Sequence, residues 1–300
     1  MKRETKGMVA GFAGIAVFAL TLPAIRYAVA YFDPVLVGLG RSVMAALIAA
    51  VWLVVIKAPI PTRRQLVQLM IVTLGVVIGF PLFSALAMKT LPAIHGGVVV
   101  GILPMATAIV GVLLTHEKPS PGFWVTGLAG CLVVILFACP DGFQHLQVGD
   151  ALLVGAVIAA AVGYAFGGRL AVEMGGWQVI CWALVIAFPL ILLPTGIQAL
   201  HATPAVPITA WLCFIYLALG SQLLGFVFWY KGLALGGIVR VSQIQLLQPF
   251  LTLIAAAVLL GERLDGRTLV FATLVVAILA VGRRMPVTRM SPLSTNKRSL

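Results

Sequence analysis

The sequence predicts an all-α integral membrane protein in which ten transmembrane helices form two inverted five-helix repeats, with both termini in the cytoplasm. Three observations predict this fold. The 300 residues are 62% hydrophobic and only 9% charged, whereas a soluble domain has about 25% charged residues. Ten apolar segments are long enough to cross a bilayer, and the fourth resembles the ninth in sequence. A chain with so little polar surface needs lipid rather than water around it.

The ten apolar segments are separated by short stretches of turn-forming or charged residues. None of these stretches is long enough to fold as a soluble domain, and the first segment is too long for a cleaved signal peptide. Thirty-one glycines and seventeen prolines are also typical of membrane helices. The predicted helices cover residues 7–30, 34–56, 67–88, 93–115, 122–138, 150–171, 177–196, 209–231, 238–260 and 267–283.

The distribution of basic residues predicts the orientation of these helices. With a cytoplasmic N-terminus, fifteen Lys and Arg residues lie on the inner side and four on the outer side, while Arg41 lies inside a span. Cytoplasmic loops of membrane proteins carry such an excess of Lys and Arg. The sequence therefore predicts a multi-pass protein of the plasma (inner) membrane with both termini in the cytoplasm.

An internal repeat relates the two halves of the chain. A shift of 145 positions aligns proline with proline, threonine with threonine and glutamate with glutamate in the fourth and ninth helices. Because each half has five helices, the second half enters the membrane from the opposite side, which is a recurrent plan of secondary transporters. The aligned pairs are Pro104 with Pro249, Thr107 with Thr252, and Glu117 with Glu262. The predicted units are repeat 7–138, repeat 150–283 and a basic cytoplasmic tail, 284–300.

The aligned prolines and glutamates have separate predicted roles. Pro104 and Pro249 remove backbone hydrogen bonds and are expected to kink their helices and act in gating. Glu117 and Glu262 lie at the predicted membrane edge, where a carboxylate costs little. We expect each glutamate to end its helix and to pair with its basic neighbour, Lys118 or Arg263.

At these residues the chain resembles the drug/metabolite transporter superfamily, EamA type. The resemblance covers residues 7–284 and includes "DPVLVGLGRS", with an arginine in the second helix, and "IYLALGSQLLGFVFWYKGLAL" in the eighth. It implies ten helices, cytoplasmic termini and export or exchange of small metabolites through a central cavity. The second repeat has no arginine at the position that matches Arg41.

Arg41 is a candidate for contact with an anionic substrate. It lies about 10 Å below the predicted outer surface, at 1.5 Å per residue, and its charge is nearly permanent. It either anchors an anionic group, such as a substrate carboxylate, or extends to the outer headgroups. The sequence alone leaves both interpretations open.

Other polar side chains on the predicted helices are further candidates for the cavity lining. Spacings of three, three and four residues place one such group on a single face of the ninth helix. These side chains either line the cavity or form hydrogen bonds between helices. His95, near a helix end, is a candidate for gating or proton transfer. Ser242 belongs to this face of the ninth helix, and the substrate-binding candidates besides Arg41 are Gln245, Gln248, Thr252, Ser221, Gln222, Tyr164 and Trp182.

Two aromatic residues of the eighth helix and three glycine pairs have less specific interpretations. Trp229 and Tyr230 approach the predicted inner interface, where aromatic residues often anchor a helix. Three glycine pairs at a spacing of four permit close helix packing inside the bundle, and they also permit a homodimer.

Several classes of function are disfavoured by what the sequence lacks. It has no Walker A sequence, so ATP is not expected to drive it. It has no Cys/His spacing for a metal and no motif of an intramembrane enzyme, so we expect no cofactor and no catalytic residues. Basic residues spread over short loops do not form a nucleic-acid groove. We expect a secondary transporter of amino-acid-like or amphipathic solutes; a lipid-modifying enzyme and a membrane sensor are the alternatives.

Overall fold

The computed structural model describes residues 3–114, 117–138, 147–200, 206–283 and 287–289. These residues form ten helical segments, several of which contain a π or 3₁₀ stretch. The first half contains α1 (Arg3–Ala19 and Thr21–Ala28), α2 (Leu36–Gly40, π, and Arg41–Val55), α3 (Arg63–Val72, Thr73–Gly79, π, and Phe80–Met88), α4 (Ala93–Val100 and Leu103–Leu114) and α5 (Pro121–Ala138).

The second half has the same succession of helices. It contains α6 (Val148–Met174), α7 (Gly176–Leu200), α8 (Ile208–Ile215, Tyr216–Gly225, π, and Phe226–Gly236), α9 (Ile238–Ser242, Gln243–Leu247, 3₁₀, and Gln248–Leu260) and α10 (Gly266–Arg283). Two strands of three residues, β1 (Glu117–Pro119) and β2 (Val287–Arg289), pair antiparallel. The rest of the predicted basic tail, residues 284–300, lies outside the described residues.

Eight helices in the described part of the chain are long and apolar enough to cross a membrane: α1 to α4 and α6 to α9. Helices α5 and α10 have 18 residues each. Large apolar side chains such as Leu113 and Leu193 remain exposed on the outside of the bundle, as expected of surfaces that face lipid. The chain is therefore a helical, multi-pass membrane protein. Ten spans and the orientation of the termini remain predictions.

The helix bounds differ from the sequence expectation by no more than five residues at any end. The start of α3 shows why such differences arise. Thr62 accepts a hydrogen bond from the Gln65 backbone, and the Gln65 side chain accepts one from the Thr62 backbone. This capping box begins α3 ahead of its apolar stretch, so hydrophobicity alone places the start too late.

Helix packing pairs the two halves with each other. Helix α1 packs against α8, while α6, the first helix of the second half, packs against α3. Helix α2 packs against α7, α4 against α9, and α5 against α10. Exchanging the halves converts the α1–α8 contact into the α6–α3 contact and leaves the other pairs unchanged. This is the arrangement expected of two related units around a pseudo-twofold axis.

Glycines allow the closest of these contacts. A Cβ atom added to Gly232 of α8 would lie 2.7 Å from the backbone nitrogen of Gly11 in α1. One added to Gly75 of α3 would lie 2.5 Å from the carbonyl oxygen of Ala159 in α6. The two equivalent interfaces therefore bring backbone against backbone, as small residues do in membrane bundles.

Candidate functional site

A pocket lies at the centre of the bundle, between helices of both halves. In this conformation its free space is about 10 Å³, close to the room needed by one water molecule. The pocket is therefore closed around its lining. That lining consists of Phe18, Thr21 and Leu22 of α1, Arg41 of α2, Phe80 of α3, Tyr164 of α6, Ser221, Gln222 and Phe226 of α8, and Gln248 of α9.

Arg41 is buried in this pocket without a hydrogen-bond partner for two of its nitrogens. Its side chain is 1% exposed, and its Nε and Nη1 atoms contact no acceptor among the described residues. Tyr164 shares the lining of this pocket with it, and no carboxylate of the described chain belongs to that lining. A buried, unpaired cation is costly, so these free donors are the most conspicuous polar feature of the bundle.

The burial of Arg41 argues against the interpretation that its side chain extends to the headgroups. It begins the regular part of α2, directly after the π-helical stretch Leu36–Gly40. The next residue, Ser42, donates a hydrogen bond of 3.0 Å to the Val77 carbonyl of α3. This contact joins the start of the regular α2 segment to the π-helical stretch of α3.

Neighbouring polar groups on α8 are held in fixed positions. Gln222 Nε2 donates to the carbonyl oxygen of Val76 at 3.0 Å, and Ser221 Oγ lies 2.9 Å from Thr21 Oγ1 of α1. Both residues were predicted to line the cavity, and both lie in the pocket lining. Thr21 was missed because a single threonine in an apolar helix carries little signal.

The predicted polar face of α9 is buried along its whole length. Ser242 donates to the Val239 carbonyl and Thr252 to the Ala19 carbonyl, each at 2.9 Å. Both amide atoms of Gln245 and the Oε1 atom of Gln248 have no partner within the described chain. Of the four, Gln248 lines the pocket. The face therefore combines one hydrogen bond within α9 and one to α1 with amide groups that have no partner among the described residues.

Aromatic side chains form one wall of the pocket. The Phe18 ring stacks against Tyr164 at 6.3 Å and meets Phe226 edge to face at 5.0 Å. Trp229 packs against both Phe18 and Tyr164. Trp229 and Tyr230 are fully buried, so the expectation of interface anchors was wrong: Tyr230 donates to the Gly163 carbonyl at 3.1 Å instead.

Trp182 lies outside the central pocket lining. It is part-buried on α7, and its indole Nε1 has no partner in the described residues. Burial with an unused donor is also the pattern of the pocket residues.

The two aligned prolines lie where helices α4 and α9 change regularity. A turn at Gly101 and Ile102 interrupts α4 just before Pro104. In α9, the 3₁₀ stretch Gln243–Leu247 precedes Pro249, which occupies the first turn of the following segment. Thr107, which aligns with Thr252, is buried with an unpaired hydroxyl in the described structure.

Charged side chains join the ends of α4, α6 and α9. His95 Nε2 of α4 lies 2.6 Å from Asp150 Oδ1 in the first turn of α6. The Glu262 carboxylate accepts hydrogen bonds of 2.9 and 2.8 Å from the backbone nitrogens of Ala93 and Ile94. Glu262 follows the end of α9 and caps the start of α4. A carboxylate at the start of a helix also interacts favourably with the helix dipole.

The matching glutamate of the first half has a different local setting. Helix α4 ends at Leu114, and Glu117 begins strand β1, opposite Arg289 of β2. Its side chain lies outside what the structure describes, so its predicted pairing is not addressed.

A seam between α1 and α8 borders the pocket on one side. Three side-chain contacts bridge it: Tyr27 with Thr209 at 2.7 Å, Tyr216 with the Val17 carbonyl, and the Thr21–Ser221 contact. A separate cleft of about 540 Å³ is lined by residues of α1, α8 and α9, including Tyr27, Thr209 and Tyr216 of this seam. The Thr21–Ser221 contact belongs to the central pocket, so the polar contacts of the seam lie between the two spaces.

Comparisons with known proteins agree with this architecture. The sequence model described as "EamA-like transporter family" matches residues 5–139 and residues 147–282. "Uncharacterized transporter YdeK" of Bacillus subtilis (strain 168) is 40% identical over 95% of this chain and 99% of its own. "Probable terminal-alkyne amino-acid exporter" of Streptantibioticus cattleyicolor is 25% identical over 90% of this chain and 94% of its own.

One solved crystal structure shares the fold. It superposes with a TM-score of 0.68 over 92% of this chain and 97% of its own, at 17% sequence identity. At that identity the likeness concerns the arrangement of helices.

Proposed function

The chain belongs to the EamA-like transporter family, and on that premise we propose that it is a secondary transporter that exports or exchanges small amino-acid-like or amphipathic metabolites. The buried Arg41, with free donors in a central pocket, carries this proposal. Transport, not catalysis, is the activity. The guanidinium binds an anionic group of the substrate, and the neighbouring polar side chains orient it. The name of the exporter from Streptantibioticus supports amino-acid-like cargo.

Alternating access is the mechanism that we propose for this pocket. Its lining comes from helices of both halves, and its free space of about 10 Å³ is too small for a metabolite. A substrate can therefore enter and leave only if helices separate. In the proposed ten-helix topology, two inverted repeats rock about the pocket and open it to each side in turn. We place the protein in the inner membrane with both termini in the cytoplasm, on the basis of its basic residues.

Purified protein in liposomes tests transport directly. We expect at least one solute from a panel of amino acids, organic acids, nucleosides and cationic drugs to cross faster than in protein-free liposomes. The flux should saturate with solute concentration, because a finite number of pockets carries it. If no solute crosses faster although the protein remains folded, the proposed function is wrong.

Cross-linking the α1–α8 seam tests the proposed movement. The Thr21 and Ser221 hydroxyl oxygens are 2.9 Å apart, so a double Thr21→Cys and Ser221→Cys variant brings two sulfurs within bonding reach. We expect oxidation to stop transport and reduction to restore it, because the disulfide prevents the helices from separating. Each single variant, treated in the same way, controls for effects of the oxidant on native cysteines. Full transport by the cross-linked protein would show that this seam stays closed during the cycle.

A further inference from the structure

We infer that the substrate is a net monoanion without a charged amine, and that its outward movement carries charge across the membrane. This inference rests on the proposed function and narrows it. An amino-acid-like skeleton fits the pocket best when its α-substituent is neutral, as in a hydroxy acid. The charges and the free hydrogen-bonding atoms of the pocket carry the argument.

The net charge of the pocket carries the first step. Within the described part of the chain, its lining contains one cation, Arg41, and no carboxylate. Arg41 is 1% exposed, with two nitrogens unpaired. A bound monoanion would make the closed complex neutral, whereas a zwitterion would leave one uncompensated positive charge in it. Burying an uncompensated charge is costly, so the closed pocket selects for substrates that carry one negative charge.

The second step of the argument is that a charged amine on the substrate would be repelled by Arg41. An ammonium group about 5 Å from Arg41, at an effective dielectric constant of about 20, loses about a hundredfold in affinity through repulsion. The described lining has no anion to offset that loss. A neutral substituent avoids the repulsion.

The free amide oxygen of Gln248 indicates that the neutral substituent of the substrate is a hydrogen-bond donor. This oxygen is buried, lies in the pocket lining and has no donor within the described residues. A buried acceptor without a partner is costly. A hydroxyl or amide N–H on the substrate satisfies it without adding charge. The expected ligand therefore has a carboxylate for Arg41, a neutral donor for Gln248 and an apolar or aromatic body for the ring wall.

Charge movement is the functional consequence. The acidic side chains that the structure describes, at positions 33, 150, 173, 262 and 265, lie outside the middle of every helix, and none belongs to the pocket lining. No described carboxylate of the lining therefore carries a compensating proton. Each exported anion then moves one negative charge outward. A potential of about 100 mV, negative inside, sustains about a fiftyfold outward gradient of such an anion. The membrane potential alone is a sufficient driving force for export.

Paired probes of similar shape test this inference in liposomes. We expect efflux of 3-phenyllactate, an anion with a hydroxyl, to exceed that of phenylalanine, a zwitterion, by about tenfold or more after subtraction of protein-free leakage. A valinomycin-generated potassium potential, negative inside, should speed phenyllactate efflux and leave phenylalanine unchanged. Mixed protein orientation does not disturb this readout, because the potential acts on the charge that crosses.

A variant of the pocket should reverse the preference for phenyllactate over phenylalanine. Gln248→Glu places a carboxylate in the lining, where it can pair with Arg41 or receive an amine. We expect the ratio of phenyllactate to phenylalanine efflux to fall at least tenfold in this variant. An unchanged ratio would contradict the charge argument.

The outcomes separate this inference from the proposed function. Faster efflux of phenylalanine, or phenyllactate efflux that does not respond to the potential, would overturn the inference while transport itself stands. If neither probe crosses but another solute does, an anionic solute supports the inference and a zwitterion or cation overturns it. Failure of every solute to cross would contradict the proposed function itself.

Discussion

An Arg41→Met variant is expected to be more resistant to thermal unfolding than the wild type and yet to lose transport. The native guanidinium is buried with two unpaired nitrogens, and replacing buried charged groups by apolar side chains stabilises some proteins by about 1–4 kcal/mol. Methionine fills a similar length without the charge. The same change removes the proposed partner of the substrate anion, which should lower transport by at least about thirtyfold. Melting of the purified protein and flux in liposomes measure the two effects.

Arg26 offers the matched control for this prediction. Its Nη1 atom donates to the carbonyl oxygens of Met88 and Lys89 at 2.7 and 3.1 Å, so it is a cation with partners. Arg26→Met should lower the melting temperature and largely preserve transport, the opposite of the Arg41 result on both counts. A fall in melting temperature for Arg41→Met as large as that for Arg26→Met would mean that Arg41 supports the fold. Normal flux without Arg41 would exclude it as the substrate anchor.

A Gly232→Val variant is expected to prevent stable assembly of the bundle. The added carbon atoms would meet the backbone of Gly11 and Gly7, at 2.7 and 3.0 Å from the position of Cβ. Backbone atoms cannot rotate away as a side chain can, so α1 and α8 must separate. We expect a loss of free energy of unfolding above about 3 kcal/mol, the upper end of ordinary overpacking. The yield of monodisperse protein and its melting temperature measure the loss.

Gly196 of α7 provides the corresponding control. A Cβ atom there meets nothing within 4 Å among the described residues, so Gly196→Val changes the same residue type in an open position. This variant should fold and transport like the wild type. Gly232→Ala should fall between the two valine variants. Equal stability of Gly232→Val and Gly196→Val would show that the α1–α8 contact tolerates a wider spacing.

The helices could be predicted from sequence because the length of an apolar segment, and the turn-forming or charged residues at its ends, are local properties of the chain. The family assignment followed from the order of motifs along the chain. Much of the candidate site depended on contacts that the sequence does not display. Glu262 was expected beside its basic neighbour, whereas it caps α4, 169 positions away from Ala93. The contact of His95 with Asp150 likewise joins elements that only the folded bundle brings together.

The predicted cavity residues also combine a local feature that could be predicted with contacts that could not. Periodicity placed Ser242, Gln245, Gln248 and Thr252 on one face of α9, but it could not separate residues that bond to backbone carbonyls from those with free amides. The π-helical stretches were also missed, because no composition signal distinguishes them from ordinary helix. Burial of Arg41 inside the bundle favours the substrate anchor over the headgroup contact, two interpretations that the sequence left open.

The π-helical stretches in α2, α3 and α8 have a consequence for how a membrane bundle can move. Each contains an i→i+5 hydrogen-bonding pattern next to regular helix. A π-helical stretch can move along its helix when a backbone N–H group changes its acceptor from one carbonyl oxygen to the next. The two ends of the helix then twist relative to each other while most backbone hydrogen bonds are kept, which matters where lipid supplies no replacement partner. Arg41 and Phe80 of the pocket lining directly follow two of these stretches, and Ser221 lies in the third. We therefore expect rotation within single helices to reshape the pocket.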